Sequence, residues 1–453
     1  MSQYALKNLI VLSMPLPVLM ALSYVDSVYS GYMALLVLAI VVLSGKSINQ
    51  IFFFGSLFFI ISWAWNSVSL LYIETGAYVS EQGRYGAASN SSSRFLLYTY
   101  IFLYVGHLYF TLRDSRTKDL ILKFQKKSKS PLLFIQVAQR FSVSIIVMLV
   151  ITGLIYGFPL LDSISRFQYW SNLENLQKLI FLSPISAFLL GVSFYLDRSR
   201  YSVFLVFLLF IVSFLFSEKF TGPYLISIYF AMGFFISKSL FASEAEDNFN
   251  WKLYLVFIPV VMILLVSAAS YGYVVLHGVD PKAVFDQIIN RAFALQGHVW
   301  FGIDYLVNVT GSFKPSAETF FRPNDEPNNP AGLPFLMYAI APYDFVLAMR
   351  EAGIRFTNGY PAITLASFGF LKGIVIQAIM GLVTYIFMYY LVEKVARLQI
   401  FRLIVALVFF NNIVSNVVVM GEIYYIYKPL SILIILLIFS DAFLLKHKAV
   451  RWR

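Results

Sequence analysis

Long apolar runs recur along almost the whole chain, and nothing else constrains the fold as strongly. A stretch of about 18 to 25 apolar residues spans a bilayer as a helix, because without water every backbone polar group must be bonded internally. That criterion predicts about twelve spans, near 5–25, 31–45, 50–73, 95–112, 141–161, 179–196, 202–217, 223–241, 253–276, 362–392, 402–420 and 428–445. Apolar residues make up 59% of the sequence and mean hydropathy is +0.76, which leaves no separate soluble domain to cut out. The expectation is an all-α polytopic membrane protein.

The placement of Lys and Arg orients it, since positive residues are retained on the cytoplasmic side. Arg113, Arg116, Lys118, Lys123, Lys126, Lys127, Lys129 and Arg140 fall between two predicted spans. Counting outward from that cytoplasmic anchor puts Arg198 and Arg200, Lys394 and Arg397, and the tail with Lys446, Lys448, Arg451 and Arg453 on the same side. Both termini then face the cytoplasm, and segments 74–94, 162–178, 217–223 and 277–360 lie outside. This bias accounts for most of the net charge of +11, so nucleic acid is not an expected partner. Lys7 precedes a run broken at Pro15 and Pro17 with no small-residue cleavage pattern, which reads as a first span and not a removable leader. The absence of cysteine excludes disulfides and thiolate metal sites.

The chain divides into spans over 1–276, a large outer loop over 277–360, and further spans with a basic tail over 361–453. That loop holds Arg291, His298, Asp304, Arg322, Arg350 and Arg355, so aqueous chemistry is expected there. Asp280-Pro281 predicts a helix start, with Asp280 as N-cap. Val284, Phe285, Ile288, Ile289, Ala292, Phe293 and Leu295 then recur at helical spacing, and Gln287, Arg291 and His298 share a face if this helix passes Gly297. The Pro/Asn-rich run from Arg322 to Pro330 cannot be a regular helix. Tyr343 to Ala352 predicts a second short helix, and the chain re-enters the membrane at Gly359-Tyr360-Pro361.

Ionisable residues at the membrane or its outer edge are costly and need a reason. Lys219, in a short outer turn, runs against the positive-inside trend; its plain reading is a snorkelling lysine. Arg291 carries a planar fork that matches phosphate oxygens, with a surface arginine on an amphipathic helix as the plain alternative. Arg322 and Arg355 offer the same chemistry at Pro- or Gly-marked bends, where loop anchoring competes. For a general base the loop supplies His298, Asp304, Asp325 and Glu326, although a histidine beside Trp300 and Phe301 also suits simple packing. No ligand cluster, phosphate-binding Gly-rich loop or Gly-x-Ser-x-Gly occurs, so neither a metal nor another cofactor is expected.

With its spans, cytoplasmic ends, basic charge and late outer loop, the chain resembles the bacterial Wzy-type O-antigen polymerases. Asn358-Gly359-Tyr360-Pro361-Ala362, leading into Phe368-Gly369-Phe370-Leu371-Lys372-Gly373, is similar to the return of that loop to the membrane, and Arg291-Ala292-Phe293 to the arginine near its start. The resemblance implies a GT-C-like glycosyltransferase of the inner membrane. It would move a growing glycan from undecaprenyl diphosphate onto a second lipid-linked repeat unit at the periplasmic face. Arg291, Lys219, Arg355 and Arg322 would hold the diphosphate, and His298 or Asp304 would take the acceptor proton. A Wzz-type chain-length regulator and membrane lipids are the further partners implied. The competing readings are an O-antigen ligase or other lipid-dependent glycosyltransferase, whose fuller motif around the loop histidine is missing here, and a lipid-linked oligosaccharide flippase or transporter.

Overall fold

A computed structural model describes residues 11–25, 27, 29–43, 48–113, 131–162, 164, 169–170, 173, 176, 179–217, 221–241, 274, 280, 283–284, 288–290, 293–323, 329–352, 354–356 and 358–450. The described chain is helical apart from one short antiparallel ladder. In order it forms α1 (Pro15–Leu22), α2 (Tyr29–Leu43), α3 (Gln50–Gly55), α4 (Leu57–Glu74), β1 (Tyr78–Val79), β2 (Arg84–Tyr85) and α5 (Ser91–Leu112). There follow α6 (Pro131–Tyr156), α7 (Ser183–Asp197), α8 (Arg200–Leu215) and α9 (Thr221–Phe241). The loop contributes α10 (His298–Asp304), α11 (Ala317–Phe321), α12 (Gly332–Ile340) and α13 (Tyr343–Glu351); α14 (Ala362–Ala396), α15 (Ile400–Asn412) and α16 (Pro429–Val450) complete the chain.

Six helices are long and apolar enough to cross a membrane: α4, α5, α6, α9, α14, and α15 with its π-helical continuation to Val419. The other predicted spans fall on shorter apolar helices or, for 253–276, almost wholly outside the described residues, so the described residues show six spans of full length. The 15 residues of α7 reach about 22 Å, short of a hydrocarbon core of about 30 Å. The run predicted at 50–73 breaks at Ser56, whose hydroxyl donates to Phe52 O (2.7 Å) and bonds Tyr385 Oη (2.8 Å). Val375, Ile379 and Leu382 on α14 and Phe204, Phe207 and Ile211 on α8 are exposed at helical spacing. Such outward apolar stripes suit a lipid surround and would be a liability in water.

Small residues let the helices approach. A Cβ on Gly191 of α7 would lie 2.2 Å from Phe230 O, and one on Gly233 of α9 2.2 Å from Phe188 O, so backbone meets backbone at this crossing. The centre of the bundle is the α5–α14 contact, filled by Phe59, Trp63, Phe102, Tyr385 and Phe410. α14 itself is broken at Gly369 (φ 68°, ψ −174°), a backbone region essentially reserved for glycine. Tyr98 Oη lies within donating distance of both carbonyls there, Gly369 O at 2.9 Å and Phe370 O at 2.6 Å.

Polar segments gather at one end of the bundle. The hairpin 78–85, the described residues of 293–361 and the turn 420–428 meet there, with Leu333 N donating to Met420 O and Gly359 N to Val419 O, both at 2.8 Å. At the far end of α14, where a cytoplasmic basic cluster was expected, Lys394 is fully buried with its ammonium 4.4 Å from the Tyr390 ring centroid. Arg397 there pairs with Glu393 at 2.5 Å.

Candidate functional site

The large loop does not stand off the bundle as a separate aqueous lobe: every residue of α10 is buried. Two findings bear on the sequence reading. The condition that the helix passes Gly297 is not met: residues 294–297 form a turn, Gly297 is the N-cap of α10, and its N–H donates to Ser69 Oγ (2.8 Å). The loop also contains an unforeseen apolar helix, α12, with Leu333, Leu336, Met337 and Ile340 inward. The short helix expected at 343–352 is α13, and most of the stretch expected to be helical from Asp280 lies outside the described residues.

α10 is held by a buried ion pair. Arg94 at the start of α5 donates from Nε to Asp304 Oδ1 (2.8 Å) and from Nη2 to Asp304 Oδ2 (2.6 Å). Its Nη1 donates to Ser23 O (3.2 Å) and its Nη2 also to Ser89 O, while Asn308 Nδ2 donates to Asp304 Oδ1 (2.8 Å). A second carboxylate, Glu74, caps α5: it accepts from Ser91 N (2.6 Å) and Ser92 Oγ (2.5 Å), where the positive end of the helix dipole favours an anion. Trp300 Nε1 donates to Ser91 O (2.9 Å), tying α10 to the same helix start. Asp304 is thus placed as a neutralised anchor, with both oxygens occupied.

His298 differs. Its Nδ1 lies 2.5 Å from Leu295 O, so the proton sits on Nδ1 and the lone pair on Nε2. That buried Nε2 has no hydrogen-bond partner among the described residues. Burial pushes the imidazole down to about 4, against the raising effect of the Leu295 carbonyl, so the ring is neutral at pH 7. Phe356 covers it edge to face, with centroids 4.6 Å apart.

Among the described residues around Phe356, which lead into α14, Arg355, Asn358 and Tyr360 are pinned. Arg355 Nη1 donates to Glu422 Oε1 at 3.0 Å, the arginine side chain 40% exposed and the carboxylate 4%. Asn358 takes a left-handed conformation (φ 62°), and its Nδ2 donates to Asn66 Oδ1 (2.9 Å) and Gln296 O (3.0 Å). Tyr360 Oη donates to Gln377 Oε1 (2.5 Å).

Of the six residues predicted for the site, His298 and Asp304 share α10, and Arg355 neighbours the residue that covers His298. Arg322 serves the loop: it donates to Pro330 O (2.8 Å), lies over Phe335 and sits 3.7 Å from Glu318. Arg291 and Lys219 lie outside the described residues, as do Asp325 and Glu326. Among the described residues no group of three or more His, Cys, Asp or Glu could hold a metal ion.

Sequence reasoning missed Arg84, Arg94 and Glu422. A signal existed for the arginines: both fall in a segment assigned to the outer face, where positive residues are depleted, the argument that singled out Lys219.

One family model matches the chain, over residues 326–435, and its description is a family of unknown function (DUF6418). The matched stretch holds Arg355, Phe356, Asn358, the break at Gly369 and Glu422, and stops short of α10. No curated protein and no solved structure matches.

Proposed function

We propose that the chain is a glycosyltransferase acting on polyprenyl-diphosphate-linked glycans at the outer face of the membrane, of the polymerase type. The observation that carries this reading is His298: a neutral imidazole with its proton fixed on the Leu295 carbonyl and an unpartnered Nε2, held on a helix anchored at the polar end of a lipid-exposed bundle. In the proposed step an acceptor hydroxyl gives its proton to Nε2 while its oxygen bonds the anomeric carbon of the donor. The bond from that carbon to the diphosphate oxygen breaks, and its electron pair leaves with the diphosphate. A positioned base of this kind contributes about 10²- to 10⁴-fold. Phe356 closes the site in this structure, so acceptor entry requires the 354–356 segment to move.

A second reading has its own support. The break of α14 at Gly369 and the π-helix Ile413–Val419 are irregular backbone within apolar spans, the kind of feature on which transporters build substrate sites. Both freed carbonyls face Tyr98 Oη, which favours a packed break over an open one. Proteoliposomes separate the readings. Purified protein given synthetic lipid-linked repeat units should yield longer lipid-linked glycans without ATP or an ion gradient. Movement of the intact lipid-linked unit between leaflets, with no increase in glycan length, would replace this reading by the second.

A further inference from the structure

The two arginines beside α10 are treated differently. Arg94 finds an acceptor for Nε, Nη1 and Nη2 alike. Arg84 has its guanidinium carbon 4.8 Å from the Tyr305 ring centroid and 5.4 Å from that of Phe301, and its Nε donates to Gln82 Oε1 (2.8 Å). Its Nη2 is buried with no acceptor, and it makes no ion pair among the described residues. Ring faces attract the charge but do not satisfy the N–H groups of Nη2.

The hairpin explains the placement. Arg84 pairs with Val79 in the ladder, and Val79 is fully buried, so both point towards α10; Tyr78 and Tyr85 pair on the opposite, exposed face. Gln82 fixes the seam from its other end by donating from Nε2 to His298 O (2.7 Å). The nearest buried carboxylate on the loop, Asp304, is already neutralised by Arg94. A preset cation without a counter-charge among the described residues therefore lies in a seam between the hairpin and the loop.

We infer that this seam binds a phosphate-type oxyanion through Arg84, with a phosphate oxygen as the acceptor that Nη2 lacks. A planar fork matches such oxygens bidentately, and an ammonium does not. Burial, which already disfavours the uncompensated guanidinium charge, strengthens the contact once an anion arrives. The same chemistry comes from a polyprenyl diphosphate or from an anionic lipid headgroup. The inference goes beyond the transferase reading, since it requires only the oxyanion.

The test uses the full chain in nanodiscs of phosphatidylcholine, titrated separately with undecaprenyl diphosphate and with phosphatidylglycerol. The wild type should bind at least one probe saturably, and Arg84→Gln should weaken it about tenfold or more. Arg84→Lys should fall between the two, and Tyr305→Leu, which keeps the cation but removes its ring support, should weaken binding by a few fold. Selective loss of the diphosphate probe assigns the polyprenyl source, and selective loss of phosphatidylglycerol the membrane headgroup. The site is overturned if the wild type binds neither probe saturably, or if folded Arg84→Gln keeps wild-type affinity for both. Should Arg84→Gln fail to fold, unchanged affinity in Tyr305→Leu overturns it instead.

Discussion

Two arginine–carboxylate pairs join the large loop to the bundle, and they are built for different duties. Arg94–Asp304 is sealed: the aspartate is fully buried, the contact is bidentate, and backbone carbonyls take the remaining donors. Arg355–Glu422 is open on one side, its arginine 40% exposed, and it fixes the chain next to the ring that covers His298. The same chemistry thus makes a lock where solvent is excluded and a latch where solvent reaches. A sealed pair resists separation because each partner would be left charged and dry, whereas an open one exchanges its partner for water at small cost.

The comparison breaks first at the lock. Asp304→Ala removes the bidentate carboxylate from the buried Arg94 and should cost about 3–5 kcal/mol, read as loss of folded protein on fluorescence-detected size exclusion. The double variant Arg94→Met/Asp304→Leu should recover much of that loss; if it is as unstable as the single variant, uncompensated charge is not the cause. The next largest effect is on pH. His298 titrates near 6.5 when unfolded and near 4 when folded. The unfolded chain therefore binds more protons between those values, so stability is full above about 6.5 and is lost as pH falls towards 4. The shift corresponds to roughly 3 kcal/mol. His298→Gln should flatten this part of the pH dependence, and an unchanged slope would place the titration elsewhere.

Gly369→Ala should cost about 1–3 kcal/mol. The nearest atom to its new Cβ, Pro315 Cγ, is 3.5 Å away, so backbone conformation and not crowding is responsible. A wild-type melting curve would show that the break can relax. The smallest effect falls on the latch: Arg355→Ala should lower stability by about 1 kcal/mol or less. It should nevertheless raise proteolytic cleavage within 352–358, while cleavage near α10 stays at the wild-type level.

Much of the fold was legible because bilayer physics leaves few options. Each predicted span that falls on described residues coincides with helix, and the short helix expected over Tyr343 to Ala352 forms at Tyr343–Glu351. What could not be read was depth. Hydropathy marks α12 as apolar only in hindsight, since its nine residues are too few to signal a span. Trp300 and Phe301 hint that His298 packs, but nothing in the run His298 to Asp304 says that it sinks between α4, α5 and α14. Arg94 and Asp304 lie 210 positions apart, and Arg355 and Glu422 67, so no local pattern pairs them. Asp304 looked like a base because its sequence neighbours reveal nothing of Arg94. The break at Gly369 lay inside a quoted motif, Phe368-Gly369-Phe370, yet sequence cannot distinguish a glycine that breaks a helix from one that lets helices pack.

The most direct test of the account is turnover per folded molecule of His298→Gln in proteoliposomes with lipid-linked repeat units, set beside its melting curve at pH 7.5. The account predicts glycan extension lowered by about 100-fold or more with near wild-type melting, because the imidazole is neutral there and the glutamine keeps a polar group in its place. Extension within a few fold of the wild type, from protein that melts normally, would remove His298 from the chemistry and leave it as packing beneath Phe356.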